Sequence, residues 1–226
     1  MKHGKNRYYR RSRISEKVFR RLIRVFAMDL TATDAAKLTG LSVRSVNSIY
    51  LKLRQRIAGH CETQSPVRGV IEVDESYFGP RRIRGKRGRG AGGKTIVFGV
   101  FKRGDCVYTQ IVPDVRKKTL QKAIRGRVSL QSIIHSDGWP GYDGLVDVGY
   151  ARHLRVNHGE DQFVDGRSHI NGIESFWSYA KHRLAKFHGV PPHTFYLHLK
   201  ETEFRFNHRR DNLYLAVLKL LRKHPI

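Results

Sequence analysis

Four positions form a set whose side chains could do chemistry together: Asp74 in VDES, Asp137 in HSDGW, and Glu174 and Lys181 in IESFWSYAK. Asp74 sits in the middle of GVIEVDESYFG, a run that alternates as a strand. A strand interior flanked by apolar residues is a poor place for a carboxylate unless something pairs with it. Glu72 shares the face of Asp74, and Glu75 points the other way. Asp137 ends the strand-like run SIIHSD, where it either meets a neighbouring strand at the sheet end or makes an Asx-turn before Gly138. Glu174 belongs to a polar helical stripe, Asn171, Glu174, Ser178 and Lys181, beside the apolar stripe Ile170, Ile173, Trp177, Ala180 and Leu184. A solvated helix face has the same pattern. Taken together, carboxylates on rigid elements can hold two divalent cations about 3.5–4 Å apart, one activating an attacking oxygen and the other stabilising a leaving oxygen. Mg²⁺, with Mn²⁺ as the alternative, suits oxygen ligands of this kind. Lys181, seven residues beyond Glu174, is placed to contact a phosphate. Glu201 and Glu203 are weaker rivals for the third acid, and His135 and His158 are alternatives for a role nearby.

Those residues need a scaffold. After Gly69 the sequence predicts three strands, GVIEVDESYFG, TIVFGVFKR and VYTQIV, the last two separated by the hairpin signal Gly104-Asp105. A helix (KTLQKAIRGRV), two short strands (SIIHSD and ARHLRVN), and helices at about 168–186, 192–207 and 213–222 follow. That order predicts an α/β domain, a mixed sheet flanked by helices, over 69–210, with a C-terminal helix in 211–226. Trp139 and Tyr142 either stack on a splayed base or fill the core under the loop after Asp137, and Trp177 falls on the apolar stripe as packing.

The N-terminal part is different. Residues 1–14 read as a flexible basic arm, and 59–68 as a linker with Gly59 and Pro66. Between them, 15–58 predicts a small all-helical domain. Ser15 caps a helix with Val18, Phe19, Leu22, Ile23 and Phe26 on one face. Thr31 or Thr33 caps a short helix with Ala35, Ala36 and Leu38. Gly40 ends it, and Ser42 opens another with Val46, Ile49, Tyr50 and Leu53 buried. Two short helices joined by a glycine-containing turn form a helix-turn-helix, with Arg44, Ser45, Asn47 and Ser48 where base edges and phosphates would be met. A bundle used for protein contacts fits the same pattern. Residues 1–60 hold 15 Lys or Arg against three acids.

The whole chain of 226 residues carries 44 Lys and Arg against 19 acids, a formal charge of +25, which points to a polyanion, DNA or RNA, as partner. Hydrophobic residues, 39% of the chain, suffice for a real core and exclude full disorder. Cys61 and Cys106 make neither a disulfide framework nor a zinc site. No run of 18 or more apolar residues spans a bilayer, so no membrane role is expected. The N-terminus lacks the apolar segment of a secretory signal. A cytoplasmic, nucleoid-associated protein of a bacterial or archaeal cell is the expectation. The segment GPRRIRGKRGRGAGGK over 79–94 has seven basic residues and six glycines. It lacks the order and context of a phosphate-binding P-loop. It reads as a hairpin extension tracking DNA phosphates through Arg81, Arg82, Arg84, Lys86, Arg87, Arg89 and Lys94, with a plain charged loop as the alternative.

In order, VDES, HSDGW, VNH and FVDGRSHINGIESFWSYAKHRL closely resemble the DDE transposases of bacterial insertion sequences, in particular the ISXO-type transposase domain. The resemblance covers about residues 68–210. It implies an RNase H-like fold with Asp74 on the first strand, Asp137 after the fourth, and Glu174 on a helix with Lys181 seven residues on. It implies Asp74, Asp137 and Glu174 as ligands of two Mg²⁺ ions; His158 and Asn171 are further candidate DNA contacts. The implied activity is hydrolysis at the element's end followed by transesterification into target DNA. The implied partners are double-stranded DNA with terminal inverted repeats, target DNA, and further copies of the chain as a homo-oligomer. Many relatives carry a cysteine-rich zinc ribbon ahead of the helix-turn-helix, which this sequence lacks. An RNase H-like nuclease that cuts without joining and a catalytically inactive DNA-binding regulator are the competing functions.

Overall fold

The computed structural model describes residues 6–63, 67–79, 93–145, 149–156 and 170–226. The chain divides into two compact units, one of Met1–Gln64 with Asn207–Ile226 and the other of Ser65–Phe206.

The first unit is helical. Helix α1 (Glu16–Ala27) starts where the Ser15 side chain accepts from the Val18 amide, and it buries Phe19, Leu22, Ile23, Val25 and Phe26. Helix α2 (Ala32–Thr39) is capped by Thr31, not Thr33, and ends at Gly40 in the left-handed conformation, φ 75°. Helix α3 (Val43–Glu62) is capped by Ser42 and buries Val46, Ile49, Tyr50, Leu53 and Ile57. It runs through Gly59, four residues into the segment expected as linker. Leu38, expected inside, is 46% exposed.

One feature of this unit differs from the sequence expectation and another adds to it. The described part of the basic arm is folded back. The Asn6 side chain accepts from the amides of Tyr8 and Tyr9 and donates to the Ile14 carbonyl, and Tyr8 stacks on Phe19. Aromatic residues among the arginines supply the apolar contact that holds it. The last helix, α7 (Leu213–Lys223), packs on α1 and α3. Ile226 closes the unit, donating to the Tyr8 carbonyl and accepting from the Arg10 amide.

The second unit is built on a five-stranded sheet in the order β3-β2-β1-β4-β5. Strands β1 (Val70–Phe78), β2 (Thr95–Lys102) and β3 (Val107–Val112) form an antiparallel meander. The turn from β2 to β3 contains Gly104 at φ 75°. Strands β4 (Ile133–Asp137) and β5 (Arg152–Val156) then add parallel to β1, with α4 (Lys117–Arg125) as the crossover between β3 and β4. This order and direction of strands is the RNase H-like arrangement. One face packs on α4 through Ile71, Val73, Phe98, Val100, Leu120 and Ile124. The other packs on α5 (Asn171–Ala185) and α6 (Pro192–Asn207) through Phe78, Val97, Phe101, Ile173, Phe176 and Leu199.

Helix α6 also disposes of the rival acids. Strand β3 is an edge, and its Thr109 amide donates to Glu203 at 2.8 Å while its carbonyl accepts from Lys200 at 2.8 Å. A residue of an antiparallel strand points both backbone groups the same way, so these two point away from β2 and are covered by a buried ion pair, Lys200–Glu203 at 3.0 Å. Glu201 lies between Arg183 at 2.6 Å and Arg205 at 2.8 Å. Both glutamates are therefore spent on structure. Glu203→Ala strands Lys200 in the core, and urea unfolding is expected to show a loss of about 3–5 kcal/mol. Replacing both partners, Lys200→Met with Glu203→Leu, removes the buried unpaired charge but leaves the Thr109 N–H and C=O without these partners, so it should recover only part of that loss.

Candidate active site

Strand β1 places its acids on alternate faces. Glu72 and Asp74 point toward α5, and Glu75 points toward the α4 side. The parallel pairing of β1 with β4 joins Val70 to Ile133, Ile71 to Ile134 and Glu72 to His135. Two residues further in that register, Asp137 falls opposite Asp74, and paired residues of parallel strands share a face. Asp74 thus stands at the centre of β1, and Asp137 is the last residue of β4. The Asp137 carboxylate accepts from the Trp139 amide at 3.0 Å, so it makes the turn and also faces its partner.

The environment resists charge on Asp74. Burial, then the neighbouring Glu75 charge, then Asp137 raise its pKa from 3.8 to about 7. The Trp177 indole N–H, donating at 2.9 Å, acts in the opposite sense but does not compensate. Two carboxylates side by side in a partly dry site are oxygen donors of the kind a hard divalent cation neutralises. Among the described residues, no three His, Cys, Asp or Glu side chains stand together as a metal cluster. Asp74 and Asp137 are brought together, and Glu174 is not drawn into their pair in this conformation.

Glu174 sits on an exposed part of α5, one turn before Trp177. The helix is fixed along β1 at two points. Near its start, the buried Glu72 accepts from the Ile173 amide at 2.9 Å and from Arg103 at 2.7 Å. Four residues on, Trp177 reaches Asp74. Ile170 at the N-cap provides no side-chain cap bond, so a carboxylate from the strand satisfies an amide that a local cap would otherwise take. Two glycines permit this approach. A Cβ on Gly99, the residue paired with Asp74, would stand 2.6 Å from the Trp177 ring, and one on Gly172 would run into the Phe101 ring. Lys181 and Asn171 are exposed on the same helix.

The other expected residues fall as follows. Arg44 and Asn47 are exposed in the first turns of α3, and Ser45 donates its amide to, and shares a hydroxyl contact with, the capping Ser42. Lys94 is exposed just before β2. Arg81, Arg82, Arg84, Lys86, Arg87, Arg89 and His158 lie outside the described residues. His135 is buried in β4. Tyr142 is fully buried, fills the core beside Phe98, and donates to Glu75 at 2.7 Å. Sequence reasoning missed three contacts here: the indole of Trp177 on Asp74, the Glu72 cap and the Tyr142–Glu75 bond. One signal was present for the first, because a buried tryptophan N–H usually finds an acceptor.

The Asp74 environment has a consequence for stability. In the metal-free folded chain Asp74 holds its proton up to about pH 7, whereas its ordinary pKa is 3.8. The folded state binds more protons between those values, so stability falls as pH rises from about 4 to about 7. Asp74→Asn is expected to flatten this slope and to stabilise the metal-free protein at pH 8 by about 1–4 kcal/mol. Thermal unfolding across pH checks both.

The ISXO2-like transposase domain model matches residues 66–207. An uncharacterised transposase-like protein of Haemophilus influenzae is 42% identical over 117 residues, covering 52% of this chain and 94% of that protein. An uncharacterised protein in transposable element ISH50 of Halobacterium salinarum is 26% identical over 162 residues, covering 65% of this chain. The alignment takes in 55% of that protein's length. Among solved structures, a pre-cleavage Mos1 transpososome is 11% identical with a TM-score of 0.37, covering 89% of this chain and 75% of that one. The Mos1 strand transfer complex is 14% identical with a TM-score of 0.36, covering 99% and 78%. Likeness at that level is too loose to say anything of this molecule. The family match over 66–207 takes in the whole sheet and α5, and by it the chain belongs to the ISXO2-like transposase domain family.

Proposed function

We propose that the chain is the DDE transposase of an insertion sequence, cutting DNA at the element's ends and joining those ends to a target. The observation that carries this reading is the register of β1 and β4. Continued past its last paired residues, Glu72 and His135, it brings Asp137 at the end of β4 toward Asp74 at the centre of β1, where burial and like charge raise the Asp74 pKa to about 7. Asp74 and Asp137 are the first two metal ligands, and Glu174, on the helix tied to β1 beside Asp74, is the third.

Two Mg²⁺ ions bound there would supply an acidified attacking oxygen and charge compensation at the leaving oxygen. The residues of the chain do the rest. Trp177 and the Trp139 amide fix the carboxylate rotamers of Asp74 and Asp137. Lys181, two helical turns beyond Glu174, contacts the phosphate of the bound strand. In the first reaction water displaces one oxygen of a phosphodiester and frees a 3′-hydroxyl. In the second, that hydroxyl displaces an oxygen of a target phosphodiester and its proton leaves to solvent. Both displacements require in-line geometry, which favours rigid elements over loops as carriers of the acids.

End recognition is assigned to α2 and α3. Arg44, Ser45 and Asn47 stand at the start of the second helix, where a helix-turn-helix meets base edges and phosphates. The basic segment containing Arg81, Arg82, Arg84, Lys86, Arg87, Arg89 and Lys94 is assigned to DNA phosphates, with His158 and Asn171 near the cut strand. A homo-oligomer that pairs two ends follows from the same reading.

Two measurements test this function. Oligonucleotides carrying the flanking inverted repeats should be nicked and joined to target DNA in Mg²⁺, and Asp137→Asn should lower both rates at least a hundredfold. Activity that persists in Asp137→Asn contradicts the metal assignment, and cutting without insertion of pre-cut ends identifies a nuclease. Arg44→Ala should weaken binding to end DNA by about 1–3 kcal/mol and relax its sequence preference if the residue reads a base. Fluorescence anisotropy at several salt concentrations gives both quantities.

A further inference from the structure

The ladder between β1 and β4 stops at Glu72–His135, two residues short of both acids. The spacing of Asp74 from Asp137 is therefore set beyond the last paired residues. A second link lies there. Glu75, next to Asp74 but on the opposite face of β1, accepts a 2.7 Å hydrogen bond from the hydroxyl of Tyr142. Tyr142 is five residues after Asp137, on the single 3-10 turn Pro140–Tyr142. Both side chains are buried, Tyr142 completely.

The intervening turn has little slack. The Asp137 carboxylate accepts from the Trp139 amide, and the Trp139 indole donates to the Val115 carbonyl at 3.4 Å. A Cβ on Gly141 would stand 2.7 Å from the Trp139 indole nitrogen and 2.9 Å from the Val115 carbonyl oxygen. The result is a short closed ring. It runs from Asp74 to Glu75, across the hydrogen bond to Tyr142, and back through Gly141, Pro140, Trp139 and Gly138 to Asp137.

From this ring we infer that Glu75 and Tyr142 are positioning residues that set the separation of Asp74 and Asp137, and so the affinity of the site for its divalent cation. The inference rests on the proposed metal role of those two acids. Neither Glu75 nor Tyr142 touches the cation. Their bond holds the turn after β4 against β1 where the strand ladder no longer does. Partners that orient metal ligands in this way typically change affinity by about 10–100-fold when removed.

The test is Mn²⁺ binding to the full chain, read from the electron paramagnetic resonance signal of free Mn²⁺, beside thermal unfolding of the same samples. Tyr142→Phe keeps the ring in its core position and removes only the hydroxyl. It should weaken Mn²⁺ binding at least tenfold in a protein that still folds. Glu75→Gln retains an acceptor for the Tyr142 hydroxyl and should bind Mn²⁺ more like wild type than like Tyr142→Phe. Should the buried carboxylate left by Tyr142→Phe prevent folding, the pair Tyr142→Phe with Glu75→Met removes the link together with that carboxylate, and the same tenfold loss is expected. Folded Tyr142→Phe and double variants that bind Mn²⁺ within twofold of wild type overturn the positioning role and leave the metal role intact. A wild-type chain whose Mn²⁺ binding is absent, or unchanged in Asp137→Asn, overturns both.

Discussion

A carboxylate held in the middle of a sheet, with a second one near it, is the constraint around which the second unit is arranged. Water is the best solvent for such charges, and β1 withdraws Asp74 from it. Without a cation, the outcome is a proton retained to about pH 7. Under the proposed function, a cation bound there would gain part of its affinity from relief of that electrostatic cost. The site is thus built at the expense of metal-free stability, a trade expected where function requires charge in an unfavourable place.

The surrounding elements follow from this. β1 carries three acids, two of them tied to α5 and the third to the turn after β4. Glu72 holds the start of α5, Asp74 receives the Trp177 indole, and Glu75 holds Tyr142 on the turn that follows β4. Because successive residues alternate faces, one strand secures the helix with the third acid on one side and the turn after the second acid on the other. Gly99 and Gly172 leave the room that α5 needs. Far from the site, α6 closes the β3 edge with Lys200 and Glu203, which keeps an otherwise open ladder from pairing with another chain.

Much of this architecture was legible in the sequence, because local rules decided it. The caps at Ser15 and Ser42, the hairpin at Gly104 and the span of β3 come from turn chemistry and periodicity. Asp74 announced itself as a polar intrusion into a strand. What was not legible depends on long-range pairing. The sequence pattern starts α5 at about 168, whereas the helix begins at Asn171. Its stabilising carboxylate is about a hundred residues away in sequence. Glu201 and Glu203 looked like possible site acids because nothing local reveals that Arg183, Arg205 and Lys200 neutralise them in the core. The arm looked solvated because its charge is obvious, and the packing of Tyr8 on Phe19 is not. The juxtaposition of Asp74 with Asp137 needed the register of two strands about sixty residues apart.

That juxtaposition is the central claim, and a crystal of the protein grown with Mn²⁺ tests it most directly. Data collected near the manganese absorption edge should show an anomalous difference peak between the carboxylates of Asp74 and Asp137, with both as ligands. A peak held by other side chains, with Asp74 and Asp137 leaving the ion uncoordinated, would contradict the account.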